Sequence, residues 1–193
     1  MADLVLSIFT SLDGYFTRPG GEFAPPPWSD EVEREWSLAA LSRAKHLIYG
    51  RVNFLFNKGF WSPAETDPAS VAAHISYAPV MNGLPKTVVS RTLTGDPGWN
   101  ARLAGPDLAA EVARLKREVT GGDIFAFGGS SLANSLLGLD LVDEFWLMVT
   151  PELYGAGEPF FRNGRPGARM TLTDCRRLEV GSVILRYRRA REG

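Results

Sequence analysis

Apolar residues fall in short runs along the chain, separated by stretches rich in glycine, proline and charge. LVLSIFT, residues 4–10, is brief and aliphatic and reads as a buried strand. SLDGYFTRPGGEFAPPPW follows, with three glycines and four prolines. That composition predicts a long loop, of the length that compact domains keep for function. SDEVEREWSLAALSRAKH, residues 29–46, predicts a helix: Ser29 suits the N-cap, acidic residues crowd the first turn, and Val32, Trp36, Ala40 and Arg43 recur at helical spacing. LIYG (47–50) predicts a second strand, RVNFLFNKGF a helix or turn, and KTVVSR (86–91) a third strand. Between Phe60 and Leu84 the pattern weakens and prolines interrupt it.

TGDPGWN reads as a loop, and GPDLAAEVARLKREV (105–119) as a helix with Pro106 at its start and Leu108, Val112, Leu115 and Val119 on one face. DIFAF predicts a strand, GGSS a turn, and SSLANSLLG a helix. Residues 141–150 predict a long strand, apolar on both faces toward its end. MTLTDCRRLEVGSVILRYRR predicts two strands around Gly181. Strands alternate with helices and end in a strand pair. That order predicts one α/β domain over residues 1–193, with a mostly parallel sheet and antiparallel strands at its C-terminal edge.

Composition narrows the functions. The net charge of −1 supplies no field to gather nucleic acid or an acidic membrane. Basic residues are mostly arginine, 17 against four lysines, and arginine is the better bidentate phosphate ligand. With Cys175 as the one cysteine, an internal disulfide and a thiolate zinc site are excluded. His46 and His74 are the only histidines, so no metal site is expected. The N-terminal apolar run is too short for a signal peptide, and no run has membrane-spanning length, which makes the cytoplasm the expected location.

Three predicted strand ends carry residues suited to anions: Gly50-Arg51, Ser90-Arg91 and Gly128-Gly129-Ser130-Ser131. Helix N-termini leave N–H groups unpaired and carry partial positive charge, and glycine lets a phosphate approach them. Each turn alone is also an ordinary surface turn. Together, at the carboxyl ends of strands, they fit a ligand with several phosphates.

LVLSIFTSLDGYFT, LIYGRVNF, KTVVSRTL, IFAFGGSSLANSLL and LVDEFWLMVTPELYGAGEPFF, in this order, resemble the dihydrofolate-reductase-like family. The nearest branch holds the reductase domain of the riboflavin-biosynthesis deaminase/reductase. The resemblance spans nearly the whole chain. It implies a dihydrofolate-reductase-like three-layer α/β/α fold, NADPH as hydride donor, a small heterocyclic or carbonyl/imine substrate, and a homodimer. It further implies that Gly50, Arg51 and Asn53 meet the cofactor phosphates and that Ser90 and Arg91 meet the 2′-phosphate. Gly128, Gly129, Ser130 and Ser131 would surround the pyrophosphate, with Ser11, Asp13 and Gly14 beside the substrate. Asn53 stands where relatives often carry Thr or Ser, and Tyr154 where an aliphatic residue is more usual. Neither H-x-E nor P-C-x-x-C occurs, so the zinc deaminase activity is not expected.

Two carboxylates are candidates for catalysis. Glu33 lies on the helix after Pro27-Trp28, at the distance the resemblance assigns to a substrate-holding carboxylate, although first-turn acids commonly serve the helix dipole. Asp13 follows the first strand directly, in an Asp-Gly pair that is also a common turn. Trp28 is placed to wall an aromatic substrate. The other reading is a nucleotide-binding module without turnover, acting as a sensor or partner. A purely structural dimer with ordinary turns is a third.

Overall fold

In the computed structural model, residues 1–162 and 167–190 are described. Eight strands join one sheet: β1 (Leu4–Thr10), β2 (Ala44–Gly50), β3 (Lys86–Val89), β4 (Ala101–Leu103), β5 (Asp123–Phe127), β6 (Glu144–Val149), β7 (Met170–Arg177) and β8 (Val183–Arg189). Their spatial order is β4-β3-β2-β5-β1-β6-β8-β7. From β4 to β6 all pairings are parallel, and β8 then pairs antiparallel with both β6 and β7. This is the mostly parallel sheet with antiparallel strands at its C-terminal edge.

The apolar alternation along β1 divides the core in two. Val5 and Phe9 face a cluster with Trp36, Leu41, Phe54, Tyr77, Met81 and Trp146. Leu4, Leu6 and Ile8 face the other, with Val112, Leu115, Leu132 and Leu136. Period-two alternation in the strand thus sorts helices onto opposite faces. The first face carries α1 (Asp30–Val32), a π-helical run Glu33–Leu38, α2 (Ala39–Arg43), α3 (Arg51–Trp61) and α4 (Ala78–Gly83). The second carries α5 (Leu108–Glu118) and α6 (Ser130–Gly138). The fold is three layers, α/β/α.

Two expectations are corrected. The first helix ends at Arg43, so His46 lies inside β2 and is buried. Arg43 ends the helix by bonding Asp123 and Glu144 at the starts of β5 and β6, which anchors the chain against the sheet. Ala101–Leu103, just after the TGDPGWN loop, forms the short edge strand β4. Strand β6 lies between β1 and β8, with Trp146 and Met148 in the first core cluster and Phe145 and Leu147 in or against the second.

Candidate functional site

The carboxyl ends of β2, β3 and β5 open on a cleft of about 900 Å³. Gly50, Arg51 and Asn53 form one wall, Ser90, Arg91 and Thr92 a second, and Gly129, Ser130 and Ser131 a third. Helices α3 and α6 begin here, and neither has a side-chain cap on its first N–H groups. By contrast, α5 is capped by Asp107 and α1 by Ser29. Two helices therefore present free N–H groups and positive dipole ends to one space. Among the described residues, neither Arg51 nor Arg91 makes a side-chain hydrogen bond or ion pair; both are exposed. Ser90 Oγ accepts from the N–H groups of Thr92 and Leu93, at 3.1 and 2.9 Å, which leaves its hydroxyl hydrogen to donate elsewhere.

Glycine at these turns answers to backbone conformation and close packing. Gly128 and Gly129 take φ of 58° and 79°, in the left-handed region that glycine occupies without strain. A Cβ on Gly129 would stand 3.3 Å from Asn53 Cβ, and one on Gly50 would stand 3.3 Å from Leu132 Cβ. The two turns are packed closely against the neighbouring helix starts, and glycine permits that. Uncapped helix ends, free guanidinium groups and hydroxyl donors are the donor set a phosphorylated dinucleotide requires.

A second, inner pocket of about 190 Å³ adjoins the cleft. The two share Phe16, Phe23, Asn53 and Phe56. Aromatic side chains make half of its lining: Phe9 and Phe23 lie 5.7 Å apart, Phe23 and Phe56 5.3 Å apart, with Phe16, Trp28, Trp36, Tyr77 and Phe127 around them. Trp36 and Ser37 reach the pocket from the π-helical run, a form often found at functional sites. Asn53 donates to the Phe127 carbonyl and accepts from Asn57, whose own carbonyl accepts from Trp61 Nε1 at 3.2 Å. These amides hold each other along α3.

Of the cofactor candidates, Gly50, Arg51, Asn53, Ser90, Arg91, Gly129, Ser130 and Ser131 line the cleft, and Gly128 lines the inner pocket. Trp28 also lines the inner pocket. Ser11, Asp13, Gly14 and Glu33 line neither space. Glu33 accepts from the Ser76 hydroxyl at 2.9 Å. It opens the π-helical run, so the α-helical phase assumed for it does not hold beyond that point. Asp13 accepts from Ser11 Oγ at 2.6 Å and from the N–H groups of Tyr154 and Gly155. The Ser11 bond, with the two backbone donors, holds its carboxyl below the usual range. It joins the turn after β1 to the late loop, residues 150–162, which follows β6.

The match to known proteins is to the same architecture. A family model, the RibD C-terminal domain, covers residues 2–184. The chain belongs to the RibD C-terminal domain family. Among curated relatives it is 27% identical over 184 residues to the uncharacterized protein YyaP of Bacillus subtilis (strain 168), covering 95% of this chain and 93% of that one. A Shewanella sp. PV-4 protein that carries a riboflavin-biosynthesis name has a similar structure, with a TM-score of 0.75, 24% identity, and coverage of 99% of this chain and 100% of that one. A pyrimidine reductase-like protein from Corynebacterium diphtheriae has a TM-score of 0.63 at 14% identity, over 99% of this chain and 93% of that one. The Thermotoga maritima diaminohydroxyphosphoribosylaminopyrimidine deaminase/5-amino-6-(5-phosphoribosylamino)uracil reductase has 0.66 at 13%, over 98% of this chain and 57% of that longer one. At these identities the structures share the fold.

This RibD C-terminal domain has site residues that sequence reasoning missed. Thr92, Glu158 and Arg162 line the cleft. Glu158 comes from the late loop, and Arg162 holds its carboxylate at 2.8 Å. Bonds from Ser130 and then Arg162 keep that carboxyl below the usual range. The loop is seamed to the segment after β1: Phe16 N donates to Glu158 O, Glu158 N to Thr17 Oγ1, and Phe160 N to Gly14 O, at 2.8, 3.0 and 3.1 Å. GEPFF was visible as a motif, but its position beside GGSS depends on this tertiary seam. No helix among the described residues is long and apolar enough to cross a membrane.

Proposed function

We propose that this chain is an NADPH-dependent reductase that transfers hydride to a small substrate held in the inner pocket. The observation that carries the reading is the pairing of two free guanidinium groups, Arg51 and Arg91, with two uncapped helix starts around one cleft. Bound NADPH would supply a hydride from C4 of its reduced nicotinamide. Arg51 and the start of α3 would hold phosphate, Ser90 and Arg91 the 2′-phosphate, and Gly129 to Ser131 the pyrophosphate. Membership of the RibD C-terminal domain family, and the reductase names of structural neighbours, support a reductase of the riboflavin-pathway type.

The shared wall of Phe16, Phe23, Asn53 and Phe56 is where cofactor and substrate rings would meet. The aromatic side chains position a flat substrate and displace water from the transfer path. Among the described residues no carboxylate or imidazole lines the pocket, so the proton that completes the reduction is assigned to water at its mouth. The reading includes a homodimer, as the family resemblance implies, with no nucleic-acid partner.

The test follows consumption of reduced nicotinamide against a panel of uncharged carbonyl and imine acceptors. Turnover with NADPH that falls in Arg51→Ala and Arg91→Ala supports the reading. Tight NADPH binding with no oxidation by any acceptor favours a non-catalytic nucleotide-binding module instead.

A further inference from the structure

Along β1 the residues facing the first core layer are Val5, Ser7 and Phe9. Ser7 thus occupies a position that the alternation reserves for an apolar side chain. It is 2% exposed, and its hydroxyl has no hydrogen-bond partner. Four buried side-chain polar atoms lack partners among the described residues, on Ser7, Tyr49, Ser182 and Arg186, and Ser7 alone of these lines a cavity. A buried hydroxyl without a partner is costly and uncommon, and a site built around one waits for a polar atom from outside.

The rest of the pocket narrows what that atom belongs to. Among the described residues no Asp, Glu, Lys, Arg or His lines it. Asn53 and Asn57 are bonded to each other and to Phe127 and Trp61. A charged substituent would lose its hydration in this pocket and gain no counter-charge. At about 190 Å³ the space is only slightly larger than the ~150 Å³ apolar cavity that takes up benzene, which limits it to one or two fused rings. The aromatic walls favour a flat ring.

We propose that the inner pocket binds an uncharged, flat one- or two-ring compound through a carbonyl or imine acceptor atom that receives the Ser7 hydroxyl hydrogen. Ser7 is then a specificity-determining residue, and compounds with a phosphate or carboxylate inside the pocket are rejected. This rests on the reductase reading in identifying the pocket as the substrate site.

The experiment is equilibrium dialysis of the full chain, alone and with NADPH, against three probes of similar shape: coumarin, coumarin-3-carboxylate and naphthalene. NADPH binding is measured in the same samples. Coumarin is expected to bind, with coumarin-3-carboxylate weaker by roughly thirtyfold or more for its uncompensated charge. Ser7→Ala is expected to weaken coumarin by about three- to tenfold, the usual worth of a neutral hydrogen bond. The same substitution leaves naphthalene unchanged, which shows that the pocket is still folded. Equal or tighter binding of the carboxylate overturns the proposal. So does an equal loss of coumarin and naphthalene in Ser7→Ala, or the binding of none of the three. Absence of NADPH binding with the probe pattern intact removes the cofactor reading and leaves the pocket assignment standing.

Discussion

Ser130, the first residue of α6, donates its hydroxyl hydrogen to the carboxylate of Glu158. That carboxylate lines the cleft proposed for the cofactor, beside a helix start suited to phosphate. It is partly balanced by Arg162, and its low pKa keeps it charged at neutral pH. It therefore competes with phosphate for the Ser130 hydroxyl and repels its charge.

Glu158→Gln should tighten NADPH binding by about three- to tenfold, the size of a single charge effect at a helix end. Fluorescence titration at fixed ionic strength checks it, and the gain should shrink at high salt. An unchanged or weaker affinity would mean that the carboxylate helps to build the site.

Gly157 has φ of 140°, and a Cβ there would meet Thr17 O at 2.0 Å. That contact lies between backbones, so it has no side chain to give way. Gly157→Ala should open the seam between the late loop and residues 15–18, raising hydrogen exchange at Phe16 and Phe160 and lowering the melting temperature. Gly129→Ala should be milder in stability, about 1–2 kcal/mol for a positive φ, but should weaken NADPH binding more than Gly157→Ala does.

His46 tests the other end of the sheet. Its Nε2 lies 2.9 Å from Thr87 Oγ1. Burial first, then Arg102 and Lys86, push its pKa down to about 4 from 6.5. Because the folded value is the lower one, the unfolded chain binds more protons between pH 4 and 6.5. Stability should therefore fall as pH drops through that window, by about 2 kcal/mol from pH 7 to pH 5 for this group. Urea melts of the wild type and His46→Gln at both pH values isolate it: the variant should lose less. Equal losses would count against a buried neutral imidazole.

Much of this fold is legible in local pattern. LVLSIFT and DIFAF match β1 and β5 residue for residue, because a central strand buried on both faces leaves a short, mostly apolar run. β4 has three residues, too few for any periodicity to register. His46 looked like a helix end because the strand follows Arg43 without a turn residue.

That these residues share one cleft was legible for a related reason: Gly50, Ser90, Arg91 and Gly129 each sit where a strand ends, and topology alone brings those ends together. The inner pocket was not. Its walls come from a long loop, a π-helical run and α3, and no sequence spacing reports that Phe23, Ser37 and Phe56 share one space. Glu158 and Ser130 are 28 residues apart and meet through loop contacts with residues 14–17.

The most direct measurement is titration of the purified chain with NADPH and, separately, NADH, following tryptophan fluorescence in the wild type, Arg51→Ala and Arg91→Ala. The cleft predicts saturable NADPH binding, weakened about tenfold or more by either substitution, as charge-assisted phosphate contacts require. It also predicts that Arg91→Ala narrows the gap between NADPH and NADH. Binding of neither nucleotide, or NADPH binding indifferent to both arginines, would contradict it.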